Sequence, residues 1–90
     1  MKKFPPSTLK QRKKVVKDIR SGKYNADLLV ECIREIQPGL AMEYLANFLN
    51  RKSYDTMYVP LDRKWFYECR NRILSLYIER MNDYGNGKNT

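Results

Sequence analysis

Apolar side chains recur at helical spacing in four stretches of the chain, and proline, glycine and capping residues punctuate them. In the clearest stretch Leu29, Cys32, Ile33 and Ile36 fall at i, i+3, i+4 and i+7, with Leu28 and Val30 widening the face. Asn25 stands where a helix N-cap belongs. Asp27 lies in the first turn, where a carboxylate opposes the positive end of the helix dipole, and Pro38-Gly39 closes the segment. The next helix is expected to begin at once and to run to about Lys52. Its Leu40, Ala41, Met42, Tyr44, Leu45, Ala46, Phe48 and Leu49 leave few polar positions, the pattern of a helix covered on most sides. These two segments are therefore expected to form a tight antiparallel pair at the centre of the fold.

The flanking segments read in the same way. Thr8 and Gln11 have capping-box spacing and Gly22 sits where a left-handed C-cap belongs, so a helix is expected over about residues 8 to 21. Its apolar positions Leu9, Val15, Val16 and Ile19 make only a narrow stripe. At the other end, Asp62 supplies an N-cap, and Trp65, Phe66, Cys69, Ile73, Leu76, Tyr77 and Met81 trace one face of a long helix ending near Asp83. Residues 53 to 61 alone look strand-like. They are read first as a structured loop, and otherwise as a strand pairing with its copy in a dimer. The fold class that emerges is all-α: a compact bundle of about four helices forming one domain over residues 8 to 83. An extended basic arm over residues 1 to 7, stiffened by Pro5-Pro6, precedes it, and a disordered tail over residues 84 to 90 follows.

Length and composition narrow the class further. Ninety residues support one modest core, which leaves a homodimer in view as a way to hide more apolar surface. No run of about 18 uncharged apolar residues occurs and no apolar stretch follows the first lysines, so neither a membrane span nor a secretory signal is expected, and the cytoplasm is the expected compartment. Cys32 and Cys69, with no histidine anywhere in the chain, read as reduced core residues rather than as a disulfide or metal ligands.

Charge changes the picture more than anything else. The net charge is +8, and residues 1 to 23 carry all of the excess. That segment holds nine basic side chains, Lys2, Lys3, Lys10, Arg12, Lys13, Lys14, Lys17, Arg20 and Lys23, against the single acid Asp18. Lysine and arginine in a first helical turn are locally unfavourable, by a few tenths of a kcal/mol each at roughly typical exposure. Helical spacing sets Lys10, Lys13, Lys14 and Lys17 along one side, with Arg20 following Lys13 at seven residues. Such a ridge matches a phosphate backbone. A solvated lysine-rich face and an acidic protein partner are the competing readings. Membrane insertion is disfavoured, because the first helix lacks a wide Trp, Phe and Leu face.

A second basic group opens the last helix. Arg63 and Lys64 stand beside Trp65 and Tyr67, Arg70 lies further along, and Arg51-Lys52 end the preceding helix. Guanidinium and aromatic faces together suit unpaired bases, as in RNA, although Trp65 and Phe66 read equally as core anchors and the tyrosines as rim residues. The candidate nucleic-acid-binding residues are thus the nine cations of the first segment together with Arg63, Lys64, Tyr67 and Arg70. No glycine-rich phosphate loop, nucleophile elbow or metal-ligand cluster is present, so a non-enzymatic protein without cofactor is expected. The Pro38-Gly39 unit looks superficially like a helix-turn-helix, but its second helix has almost no polar side chains with which to read DNA.

The short, histidine-free, tyrosine- and asparagine-rich chain, its opening Met1-Lys2-Lys3-Phe4-Pro5-Pro6 and its basic first helix resemble the early accessory proteins of large tailed phages. In size and charge the chain is similar to the RNA-binding phage inhibitors of type III toxin-antitoxin ribonucleases. That resemblance implies a dimeric RNA binder acting against a host ribonuclease toxin and its RNA antitoxin in the infected cytoplasm, and it assigns no individual residue. The readings that stand beside it are a protein-binding inhibitor that docks its basic face on a host enzyme, and a virion or assembly component.

Overall fold

A computed structural model describes the backbone of residues 7 to 87 and the side chains of residues 7 to 83. The described residues form four α-helices and no strand: α1 (Leu9–Arg20), α2 (Ala26–Ile36), α3 (Ala41–Asn50) and α4 (Arg63–Gly87), with short 3₁₀ turns at Pro38–Leu40 and Tyr54–Thr56. The capping residues act as their positions require. The Thr8 hydroxyl accepts from the Gln11 N–H at 3.1 Å, and the Gln11 side chain accepts from the Thr8 N–H at 2.8 Å. Gly22, at φ 85°, turns the chain out of α1 while its own N–H reaches the Ile19 carbonyl and that of Lys23 reaches Asp18. The Asn25 side chain accepts from the Leu28 N–H to start α2, and Asp62 accepts from the Trp65 N–H to start α4.

The core gathers around an aromatic cluster. Tyr44 and Phe66 stack with centroids 4.5 Å apart, both fully buried, and the Tyr44 hydroxyl donates to the Phe66 carbonyl at 2.9 Å, which satisfies the phenol inside an apolar surrounding. Phe48, Leu29, Ile33, Ile73 and Leu74 complete the interior, and Cys32 and Cys69 lie in it as free, buried thiols.

The expected central pair of α2 and α3 is corrected by the packing. α4 meets all three other helices: α2 lies mainly along it, α1 bridges it and α3, and α3 reaches it through Tyr44 on Phe66 and Asn47 on Arg70, while α2 and α3 meet less extensively. The reason is length. α4 offers Phe66, Cys69, Ile73, Leu74, Leu76 and Tyr77 as one buried face, whereas α3 has ten residues and leaves Met42 and Leu49 exposed. Tyr77 ties α4 to α2 by accepting the Asn25 N–H at 2.9 Å.

Residues 53 to 61 form a structured loop. Tyr54 anchors it by donating its hydroxyl to the Leu61 carbonyl and its backbone N–H to the Tyr67 hydroxyl. α4 runs four residues past its expected end at Asp83 and takes in the start of the expected tail, since extending an existing helix adds a hydrogen bond for each residue fixed. The basic arm with Lys2 and Lys3 lies outside the described residues except for Ser7, as do residues 88 to 90 of the tail. No helix among the described residues is long and apolar enough to cross a membrane.

Candidate functional site

Part of the cationic side of the first helix is folded into a concavity. Leu9, Arg12, Lys13, Val16, Lys17, Arg20 and Ser21, spaced at i, i+3, i+4, i+7, i+8, i+11 and i+12, line a groove of about 570 Å³. Its other wall comes from Arg51, at the end of α3, and from Arg70 and Asn71 of α4. Six cations therefore line one concavity, and no carboxylate does. Among the described residues, none of the six has an acidic group within ion-pair distance.

Neutral acceptors hold three of these arginines. Arg12 donates to the carbonyl and hydroxyl of Ser7 at 2.7 and 2.9 Å, and Ser7 in turn bonds Ser75 of α4 through its hydroxyl. The Nε of Arg20 donates to the Phe48 carbonyl at 3.0 Å, one of the carbonyls left open where α3 ends. The Nε of Arg70 donates to the side-chain oxygen of Asn47 at 2.5 Å, and its guanidinium lies 5.1 Å from the Phe48 ring centroid. Asn47 is itself buried, and its amide donates to the Lys52 carbonyl at 2.8 Å. One side chain thus orients Arg70 and fixes the loop that follows Arg51.

Electrostatic strain accompanies this arrangement. Burial lowers the proton affinity of the Arg70 guanidinium, and the neighbouring positive charges of Arg20 and Arg12 lower it further. Arg20 shifts the same way through burial and then the charge of Arg51. Arg51 also occupies the left-handed region, φ 58°, as the only non-glycine residue to do so among the described residues. Glycine or asparagine would serve there at lower energetic cost, so the position keeps a cation against local preference.

The sequence-derived candidates separate accordingly. Arg12, Lys13, Lys17, Arg20 and Arg70 come together in the groove. Lys10 and Lys14 continue the same side of α1 as Lys13 and Lys17 but lie outside the groove lining, and Lys14 is paired with Asp18 at 3.2 Å. Lys23 lines a separate cleft of about 190 Å³ with Val15, Tyr24, Tyr77 and Met81. Arg63 is exposed, pairs with Asp55 at 3.1 Å and covers the Tyr67 ring at 6.0 Å, and the Tyr67 hydroxyl is taken by Tyr54. Lys64 is exposed beside them. Arg63, Lys64 and Tyr67 therefore stand apart from the groove, and Arg70 leaves their cluster to join it.

Sequence reasoning missed Asn47. Its signal was present, as the lone amide on the largely apolar stretch from Leu40 to Leu49. Among the described residues no cluster of three or more histidine, cysteine or acidic side chains could hold a metal. In fold and site the chain is a small helical domain built around a cation-lined groove. Compared with known proteins, it matches no family model, and no curated protein or solved structure is similar to it at a significant level.

Proposed function

We propose that this protein is a non-enzymatic RNA-binding protein whose groove between α1, α4 and the end of α3 takes the phosphate backbone. The observation that carries the reading is six cations in one concavity without a carboxylate among them. A solvated lysine face accounts for Lys10, Lys13, Lys14 and Lys17, all of them exposed, but it does not account for the half-buried guanidinium groups of Arg12 and Arg70, held in the same groove by neutral acceptors. Mutual repulsion and partial burial both oppose that arrangement, and a polyanion relieves them. The resemblance to phage inhibitors of ribonuclease toxins adds a proposed setting, in which a dimer competes for toxin or antitoxin RNA in an infected cell.

The groove lining supplies the test, since it includes Lys13 and Lys17 but not Lys10 and Lys14. In a gel-shift titration of the full chain with single-stranded RNA, Lys13→Glu with Lys17→Glu lowers affinity at least 30-fold. The same change at Lys10 and Lys14 lowers it less than five-fold, and both variants retain the helical circular dichroism of the parent. Equal effects of the two pairs would remove the groove from the site. Purification with one stoichiometric protein partner, in place of ribonuclease-sensitive nucleic acid, would replace RNA with an acidic protein surface.

A further inference from the structure

We infer that the α3 end of the groove, where Arg20, Arg51 and Arg70 gather about Phe48 and Asn47, binds the terminal phosphate monoester of a nucleic-acid strand, with the strand running from there along Lys17 and Lys13. The inference rests on the RNA-binding reading and deepens it.

The groove is not uniform along its length. Seven positions from Leu9 to Ser21, on α1 and its C-cap, line it over 12 residue steps, a distance of roughly 18 Å at 1.5 Å per residue. Lys17 and Lys13 occupy its middle, flexible ammonium groups that act as point charges and suit successive monoanionic phosphodiesters. Three guanidinium groups, Arg20, Arg51 and Arg70, stand towards the α3 end, and the charge of Arg12 also reaches Arg70 from further along α1. Arg20 bonds Phe48, Arg70 lies over the ring of Phe48 and bonds Asn47, and Arg51 terminates the same helix.

Capping α3 explains one of them. A helix C-terminus carries about half a negative charge, which a single cation offsets. Arg20, already bonded to the Phe48 carbonyl, supplies it. Arg70 is bound to a side-chain amide instead, and Arg51 sits at a positive φ that an arginine adopts at a cost. Arg20 and Arg70 both spend Nε on these neutral acceptors, so their orientations are set while their terminal nitrogens are left to other partners. A phosphodiester brings one negative charge and two non-bridging oxygens. A phosphate monoester brings about −1.5 to −2 at neutral pH and three such oxygens, the better match for three guanidinium groups.

The test compares three single-stranded RNAs of one sequence by fluorescence anisotropy with the full chain: hydroxyl at both ends, phosphate at the 5′ end, and phosphate at the 3′ end. One phosphorylated end is expected to bind at least ten-fold more tightly than the hydroxyl-ended strand, and which end does so gives the strand direction. Arg70→Gln is expected to reduce that preference below two-fold, whereas Lys13→Gln with Lys17→Gln weakens all three strands alike and keeps the preference. Arg51→Gly, which relieves backbone strain and so folds even if Arg70→Gln does not, is expected to cut the preference at least three-fold. Three equal affinities would overturn terminal-phosphate recognition and leave the groove as a backbone site. Binding to none of the strands would overturn the RNA-binding reading beneath it as well.

Discussion

Asn47 is the residue through which the groove and the fold are most directly linked, and its truncation gives a worked prediction. Asn47→Ala removes the acceptor of the Arg70 Nε and the donor to the Lys52 carbonyl. Losing a hydrogen bond to a charged group costs about 1.5–3 kcal/mol and losing a neutral one about 0.5–1.5, so the sum is about 2–4.5 kcal/mol. In a domain of this size each kcal/mol corresponds to about 4–8 °C, so the thermal midpoint should fall by at least about 8 °C. Urea denaturation followed by circular dichroism measures the loss directly, with the midpoint shifted and the slope unchanged. A cycle with Arg70→Met, which keeps much of the side chain's apolar packing, isolates the pair. The double variant should be more stable than the two single losses add up to, by about 1.5 kcal/mol or more. A coupling under about 0.5 kcal/mol, or an Asn47→Ala variant as stable as the parent, would refute the role assigned to this amide.

Other outcomes follow from the same geometry. Arg51→Gly should leave stability unchanged or raise it by up to about 1 kcal/mol, because glycine adopts φ 58° freely, while RNA affinity falls; a stability loss above about 1 kcal/mol in urea would show that the arginine supports the fold. Phe66→Ala removes a fully buried ring stacked on Tyr44 and should cost about 3–5 kcal/mol by the same assay, a loss below about 1.5 kcal/mol being incompatible with the core described. Burial raises the pKa of the Cys32 thiol from its ordinary 9.0, and that of the Tyr44 phenol from 10.0, where nearby Cys69 adds to the effect. Folding therefore favours the protonated forms, and this stability is fully present below pH about 8. It should be lost as the pH rises past 9 and more steeply past 10, by up to about 1.4 kcal/mol per pH unit for each group. A urea midpoint that holds constant or increases from pH 8 to 10.5 would contradict this.

Local chemistry was legible in the sequence, and tertiary assembly was legible only in part. The capping box at Thr8 and Gln11, the turn at Gly22 and the caps at Asn25 and Asp62 depend on residues within a few positions of one another, so their spacing alone locates the helix starts. The choice of α4 as the helix that meets all the others was not legible, because α3 has the higher density of apolar residues while α4 presents the longer continuous face. At the site, helical periodicity sets Lys10, Lys13, Lys14 and Lys17 on one side of α1 once Val15, Val16 and Ile19 are turned inward, but which of them line the groove depends on its opposite wall. The addition of Arg51 and Arg70 could not be read from periodicity. They stand 19 positions apart and meet the first helix only because α1 bridges α3 and α4.

The most direct measurement is the salt dependence of affinity for a single-stranded RNA of about 12 nucleotides between 50 and 300 mM potassium chloride. Six groove cations engaged with phosphates give a log–log slope near −4, at about 0.7 per contact for a single strand. Replacing Lys13 and Lys17 by glutamine should make the slope shallower by about 1.4. A parent slope flatter than about −1, or one that the double replacement leaves untouched, would mean that the groove does not hold a polyanion.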